Sequence, residues 1–103
     1  MKRVILFESE PFLGKFISET LKLEGHEVFV LESPLEAEFM IQDINPDIIL
    51  YSYDSYEKEW QQFAGKYPAE DLLAISSSQI TGANVLLKPV SKKQLLKRID
   101  SLK

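Results

Sequence analysis

The sequence predicts an α/β fold in which a parallel sheet is covered by helices on both faces. Three observations carry this reading. Short apolar runs alternate with helix-period apolar stripes along the whole chain. The runs are continuously apolar, the pattern of strands buried on both faces. The 103 residues, 45% of them hydrophobic, suffice for one core, since a chain of that size hides roughly two-thirds of its unfolded surface.

The first strand is Val4–Phe7, stopped by Glu8. Leu13, Phe16, Ile17, Thr20 and Leu21 then fall on one helical stripe, and Gly25 stands where a left-handed residue closes a helix. Val28–Leu31 is the second strand. Ser33 and Glu36 form a capping box with Pro34 at the first helical position. That helix carries Ala37, Met40, Ile41 and Ile44, and Asn45-Pro46 ends it. Ile48–Tyr51 is the third strand. Asp54, with Glu57 three residues on, is expected to cap a helix whose stripe is Tyr56, Trp60, Phe63 and Tyr67. Leu72–Ile75 and Val85–Leu87 are the fourth and fifth strands. Ser91, with Gln94 at the third position, caps a last helix bearing Leu95, Leu96, Ile99 and Leu102.

One connection is too short. Between the fourth and fifth strands the link runs over residues 77–83, where a parallel crossover takes about a dozen or more. Such a link reaches roughly 23–25 Å when extended. It can return along a short strand but cannot also form a helix. A strip of sheet at strands four and five is therefore expected to lack its cover.

Composition removes most catalytic options. Cysteine is absent and His26 is the single histidine, which excludes disulfides, thiolate or histidine metal clusters and triad hydrolysis. His26 belongs to the turn after Gly25, not to a ligand set. No catalytic residue, metal site or other cofactor is expected, and the chain is not read as an enzyme. The apolar run after Lys2 and Arg3 is too short for a secretory signal, and no stretch reaches a membrane span of about 20 residues. A cytoplasmic location and no membrane partner are expected. The net charge of −4 conceals an asymmetry. Lys88, Lys92, Lys93, Lys97, Arg98 and Lys103 against Asp100 give the last sixteen residues +5, and the first 87 carry −9. This is a directional surface with a basic last helix, not the dominant basic stripe of a nucleic-acid binder.

With this element order, the chain resembles the receiver domain of bacterial two-component response regulators. The resemblance covers essentially the whole chain, and residues 1–103 are read as a single domain, either the N-terminal part of a larger regulator or a stand-alone protein. Its motifs are Arg3-Val-Ile-Leu-Phe-Glu-Ser-Glu-Pro11, Glu24-Gly-His-Glu-Val28, Asn45-Pro-Asp-Ile-Ile-Leu50, Gly82-Ala83 and Leu87-Lys88-Pro89. It implies a flavodoxin-like, doubly wound five-stranded parallel sheet of order 2-1-3-4-5, with its site at the carboxyl ends of the strands. The short link implies that the family's fourth helix is missing or reduced to a loop.

Carried over position by position, the family's phosphorylation site is degenerate here. The acidic pair after strand one is Glu8 and Ser9, and the phosphoacceptor position is Ser52. The hydroxyl residue of strand four is matched by Ser76, and the lysine before the cis-forming proline step by Lys88 with Pro89. The switch aromatic falls on Val85, which has no ring to move. An acyl phosphate needs a carboxylate nucleophile and a metal to neutralise the phosphoryl oxygens; Ser52 and a lone Glu8 are poor substitutes. Lys88 is expected to pair with Glu8.

Taken together, the sequence is read as an atypical receiver, or pseudo-receiver. Its expected role is a phosphorylation-independent interaction or dimerisation module in two-component, phosphorelay signal transduction. Its partner is a protein or a second copy, met through Val85, Leu87, Lys92, Lys93, Lys97 and Arg98. Phosphotransfer from a histidine kinase and direct nucleic-acid binding are not expected. The alternative is a phosphoryl-accepting receiver with a displaced acceptor, Asp54 or Ser52, and weak Mg²⁺ binding.

Overall fold

A computed structural model of the protein describes residues 1–31 and 38–102, with the side chains of Glu38, Trp60, Phe63 and Ala64 left aside. Its strands are β1 (Arg3–Phe7), β2 (Glu27–Val30), β3 (Ile48–Ser52), β4 (Leu72–Ser76) and β5 (Val85–Leu87). The helices are α1 (Pro11–Leu23), α2 (Glu38–Ile44), α3 (Glu57–Lys66) and α4 (Lys92–Ser101), with one 3₁₀ turn at Ala69–Asp71. The strands form one parallel sheet in the order β2-β1-β3-β4-β5. This is the order implied by the resemblance.

Alternation along each strand divides the interior into two layers. Val4, Leu6, Ile48, Leu50, Leu73, Ile75 and Leu86 face Ile17 and Leu21 of α1 and Leu95 and Ile99 of α4. On the other face, Ile5, Phe7, Ile49, Tyr51 and Leu72 pack with Ile41 of α2 and with the partly buried Tyr56 and Tyr67 that flank α3. Phe7 and Tyr56 meet edge to face at 6.4 Å.

The helix boundaries follow local chemistry. Gly25 and Asn45 take positive φ, 89° and 51°, after α1 and α2, as αL positions should. Ser91 accepts from the Gln94 amide, 3.2 Å away, and caps α4. Glu10, not singled out in the sequence, caps α1 by accepting from the amides of Phe12 and Leu13. The capping box at Ser33 and Glu36 and the apolar position Ala37 lie outside the described residues.

Two expectations need correction. Phe16 does not lie in the buried stripe of α1. Gly14, Ile17, Ser18, Thr20 and Leu21 do, because 100° steps put positions 14, 17, 18 and 21 on one face. Phe12 is 85% exposed. The predicted bare strip of sheet is also narrower than expected. No helix lies between β4 and β5, as the short link required. Yet Ala74 and Ser76 are wholly buried and Val85 is 9% exposed, leaving Leu87, at 38%, as the open position. The link does not run extended: it turns back on itself, with the Ala83 amide donating to the Ile80 carbonyl and Gly82 at a φ of 78°. Ile80 is half-buried in that turn.

Candidate functional site

In parallel α/β sheets the carboxyl ends of the strands open on one side, where chain order reverses between neighbours. Glu8 and Ser9 follow β1, Ser52 ends β3, Ser76 ends β4, and Lys88 follows β5. All five predicted positions therefore share this end. The Lys88–Pro89 peptide bond is cis, as the motif implied.

The hydroxyls form a chain that the sequence did not reveal. Ser9 Oγ lies 2.7 Å from Ser55 Oγ, and Ser52 Oγ donates to Ser55 Oγ at 3.3 Å. Ser52 is completely buried, at the position that the resemblance gives to the phosphoacceptor. Ser76 is buried too, and its Oγ accepts from the Ser78 amide at 3.1 Å. Ser55 carries no local signal beyond its place in a turn, so its role emerges only from the three-dimensional meeting of β1 and β3.

Lys88 does not pair with Glu8. Its Nζ lies 3.2 Å from Asp54 Oδ2, which also accepts from the Ser77 amide at 3.2 Å. Asp54 is thereby turned away from the helix-capping role expected of it: α3 begins later, at Glu57, and the carboxylate points across the strand ends instead. Glu8 uses Oε2 to accept from the Glu10 amide at 3.0 Å, while Oε1 is buried with no hydrogen-bond partner among the described residues. Its stem lies over α1, where a Cβ on Gly14 would sit 3.7 Å from Glu8 Cβ and Cγ.

These donors do not fit the Mg²⁺ ion of a phosphorylating receiver. A hard cation needs several convergent oxygens at about 2.0–2.1 Å. Here the Ser9 hydroxyl is held by Ser55 and the engaged oxygen of Asp54 by a lysine and an amide. Among the described residues no three His, Asp or Glu side chains converge.

Tyr51 is buried on the opposite face of β3 from Ser52, and Tyr53 follows directly after the strand. Burial pushes the Tyr51 phenol far above its ordinary value of 10.0, with a smaller upward effect from Tyr53. Tyr53 is also raised, by desolvation first and then by Glu57, whose carboxylate accepts from its hydroxyl at 3.4 Å, and by Asp54. His26 accepts from the Lys2 amide through Nδ1, a structural role in the turn.

The predicted interface is brought together in part. Val85, Leu87, Lys97 and Arg98 line one cavity of about 340 Å³ with Gln79, Leu86 and Gln94. Lys92 and Lys93 are exposed on the first turn of α4 and do not reach it. Arg98 is half-buried, and its Nε is buried with no hydrogen-bond partner among the described residues.

No family model matches the sequence, and no curated protein sequence matches it. Solved structures do. HP1043, an orphan response regulator of H. pylori, is 25% identical, with 96% of this chain and 93% of that one aligned at a TM-score of 0.75. The Vibrio cholerae chemotaxis protein CheY4 is 20% identical over 100% and 99% of the two chains, at 0.75. A response regulator from Thermotoga maritima is 16% identical over 97% and 95%, at 0.80. The resemblance read from the strand-end motifs thus holds across almost the entire molecule: the chain has the fold of a response-regulator receiver domain.

Proposed function

We propose that this chain is an atypical receiver that serves signalling as a protein-interaction module, whose working state does not depend on phosphorylation. One observation carries the proposal. A single oxygen of Asp54 engages both Lys88 and the Ser77 amide, the cation and the backbone donor that a phosphoryl group at the strand ends would need. The site is neutralised by its own chain. Ser52, at the acceptor position, is buried and would need a general base to become a nucleophile at neutral pH. Val85 adds no mobile ring that could transmit a change at the site.

A second reading is favoured by the same contact. Asp54 is a carboxylate held beside a lysine, and its other oxygen could attack a phosphoryl donor, forming an acyl phosphate on Asp54 as the donor's leaving group departs. Incubating the full chain with acetyl phosphate and Mg²⁺, followed by intact-mass measurement, separates the two. The interaction-module reading expects no phosphoryl adduct. A stoichiometric adduct that disappears in Asp54→Asn but persists in Ser52→Ala would establish the displaced acceptor instead.

A further inference from the structure

We propose that the outer edge of β5 accepts an extended, acidic segment of a partner protein as an additional strand of the sheet. The proposal rests on the interaction-module reading and names the chemistry of the partner.

β5 is the terminal strand of the sheet. In a parallel ladder, alternate residues direct their backbone groups to the neighbour and the residues between direct theirs away. The Ala74 amide donates to the Asn84 carbonyl, and the Lys88 amide to the Ser76 carbonyl. Residues 84, 86 and 88 therefore face β4, and Val85 and Leu87 present their N–H and C=O groups outward, with no strand of the described residues beside them. The cavity lies against this edge, lined by residues 85–87 together with Gln79 from the short link and Gln94, Lys97 and Arg98 from α4. Its volume of about 340 Å³ is at the lower end of the ~300–1,000 Å³ range of ligand pockets. That admits a stretch of backbone with one or two side chains, not a folded lobe.

The charge of the segment follows from the rim. Lys97 and Arg98 stand on the helix side, in the +5 portion of the chain. The buried Arg98 Nε lacks an acceptor among the described residues, an arrangement that is costly until a partner supplies one. A carboxylate of the incoming strand can meet the guanidinium fork in two parallel hydrogen bonds. An apolar side chain of the segment meets Leu87, the open apolar position of this edge. The edge is only three residues long, a length that discourages indiscriminate pairing, so specificity falls to the cationic rim.

A second copy is the weaker occupant. The other terminal strand, β2, carries Glu27, already placed 3.8 Å from Arg3. Laying β2 of one copy on β5 of the next repeats head to tail without closing.

The test uses the full chain and a fluorescein-labelled ten-residue peptide that alternates Glu with Val and Thr. Fluorescence anisotropy should show saturable binding that weakens with salt. Arg98→Gln should weaken it about tenfold or more, the worth of a hydrogen bond to a charged group. The same peptide with its backbone nitrogens methylated keeps its charge but cannot pair as a strand, and it should not bind. Amide exchange should show Val85 and Leu87 becoming protected when the unmodified peptide is added. Equal binding of the methylated peptide, no effect of Arg98→Gln in a folded variant, or no binding at millimolar peptide would each overturn the proposal. So would self-association abolished by Arg98→Gln, which would give the edge to a second copy. Phosphoryl transfer is read by mass at the strand ends, so the docking proposal and the reading beneath it fail in separate measurements.

Discussion

The Asp54 carboxylate links the ends of three strands: it follows β3, accepts from the amide just beyond β4, and pairs with the lysine just beyond β5. Its partners are 23 and 34 residues away in sequence, so no local pattern announces them; the Asp54/Glu57 spacing that suggested a helix cap was a coincidence of local chemistry. The pair is about one-third exposed on both sides, which limits its Coulomb contribution to about 0–1 kcal/mol. Asp54→Ala also leaves the Ser77 amide without its acceptor. It should destabilise the fold by about 1–2 kcal/mol in urea titration, more than Lys88→Met, which removes the ion pair alone. Tyr51 gives a pH prediction of defined sign. Its phenol is held neutral by burial in the folded state and ionises near the ordinary value of 10.0 once unfolded. Its contribution is complete below pH 10 and is lost above it, at about 1.4 kcal/mol per pH unit. Urea midpoints at pH 9 and 11 should fall more steeply in the native chain than in Tyr51→Phe; parallel declines would show that this phenol is not the cause.

Among the elements, legibility tracked how local each signal is. The apolar runs gave all five strands to within one residue at each end, because strands buried on both faces leave few alternatives. Ser91 and Gly25 were readable as caps because capping chemistry spans three or four residues. Glu10 was missed as the α1 cap because glutamate is not among the preferred cap residues. The short link was readable as a missing helix but not as a turned-back loop, since length bounds what a segment can form without fixing its path. Ser91→Ala should cost about 1 kcal/mol, seen as a lower urea midpoint. The β5 edge makes a sharper prediction for the free protein: in hydrogen exchange, the Leu86 amide, directed at β4, should be protected well above those of Val85 and Leu87 on either side. Equal protection of all three would mean that the edge is not open.

At the scale of the whole molecule, the face covered by α1 and α4 forms one continuous layer of twelve buried apolar residues among those described. Lys2 adds to that side by donating to the carbonyls of Ile99 and Leu102, closing the C-terminal end of α4 against the start of β1. The sheet ends at β5, where no helix intervenes between β4 and β5 and the apolar edge ends in the partly exposed Leu87. The contrast between that layer and the β5 edge separates what holds the molecule together from what a partner can meet. Ile99, fully buried between α4 and the sheet, should lose about 2–5 kcal/mol on replacement by alanine, because the surrounding packing cannot collapse into the space left. Leu87, more than a third exposed, should lose only about 1 kcal/mol for the same change. Denaturant unfolding of the two variants, with unchanged slopes, checks the contrast. If Leu87→Ala were as damaging as Ile99→Ala, the β5 edge would be part of the core, and its openness to another strand would be lost with it.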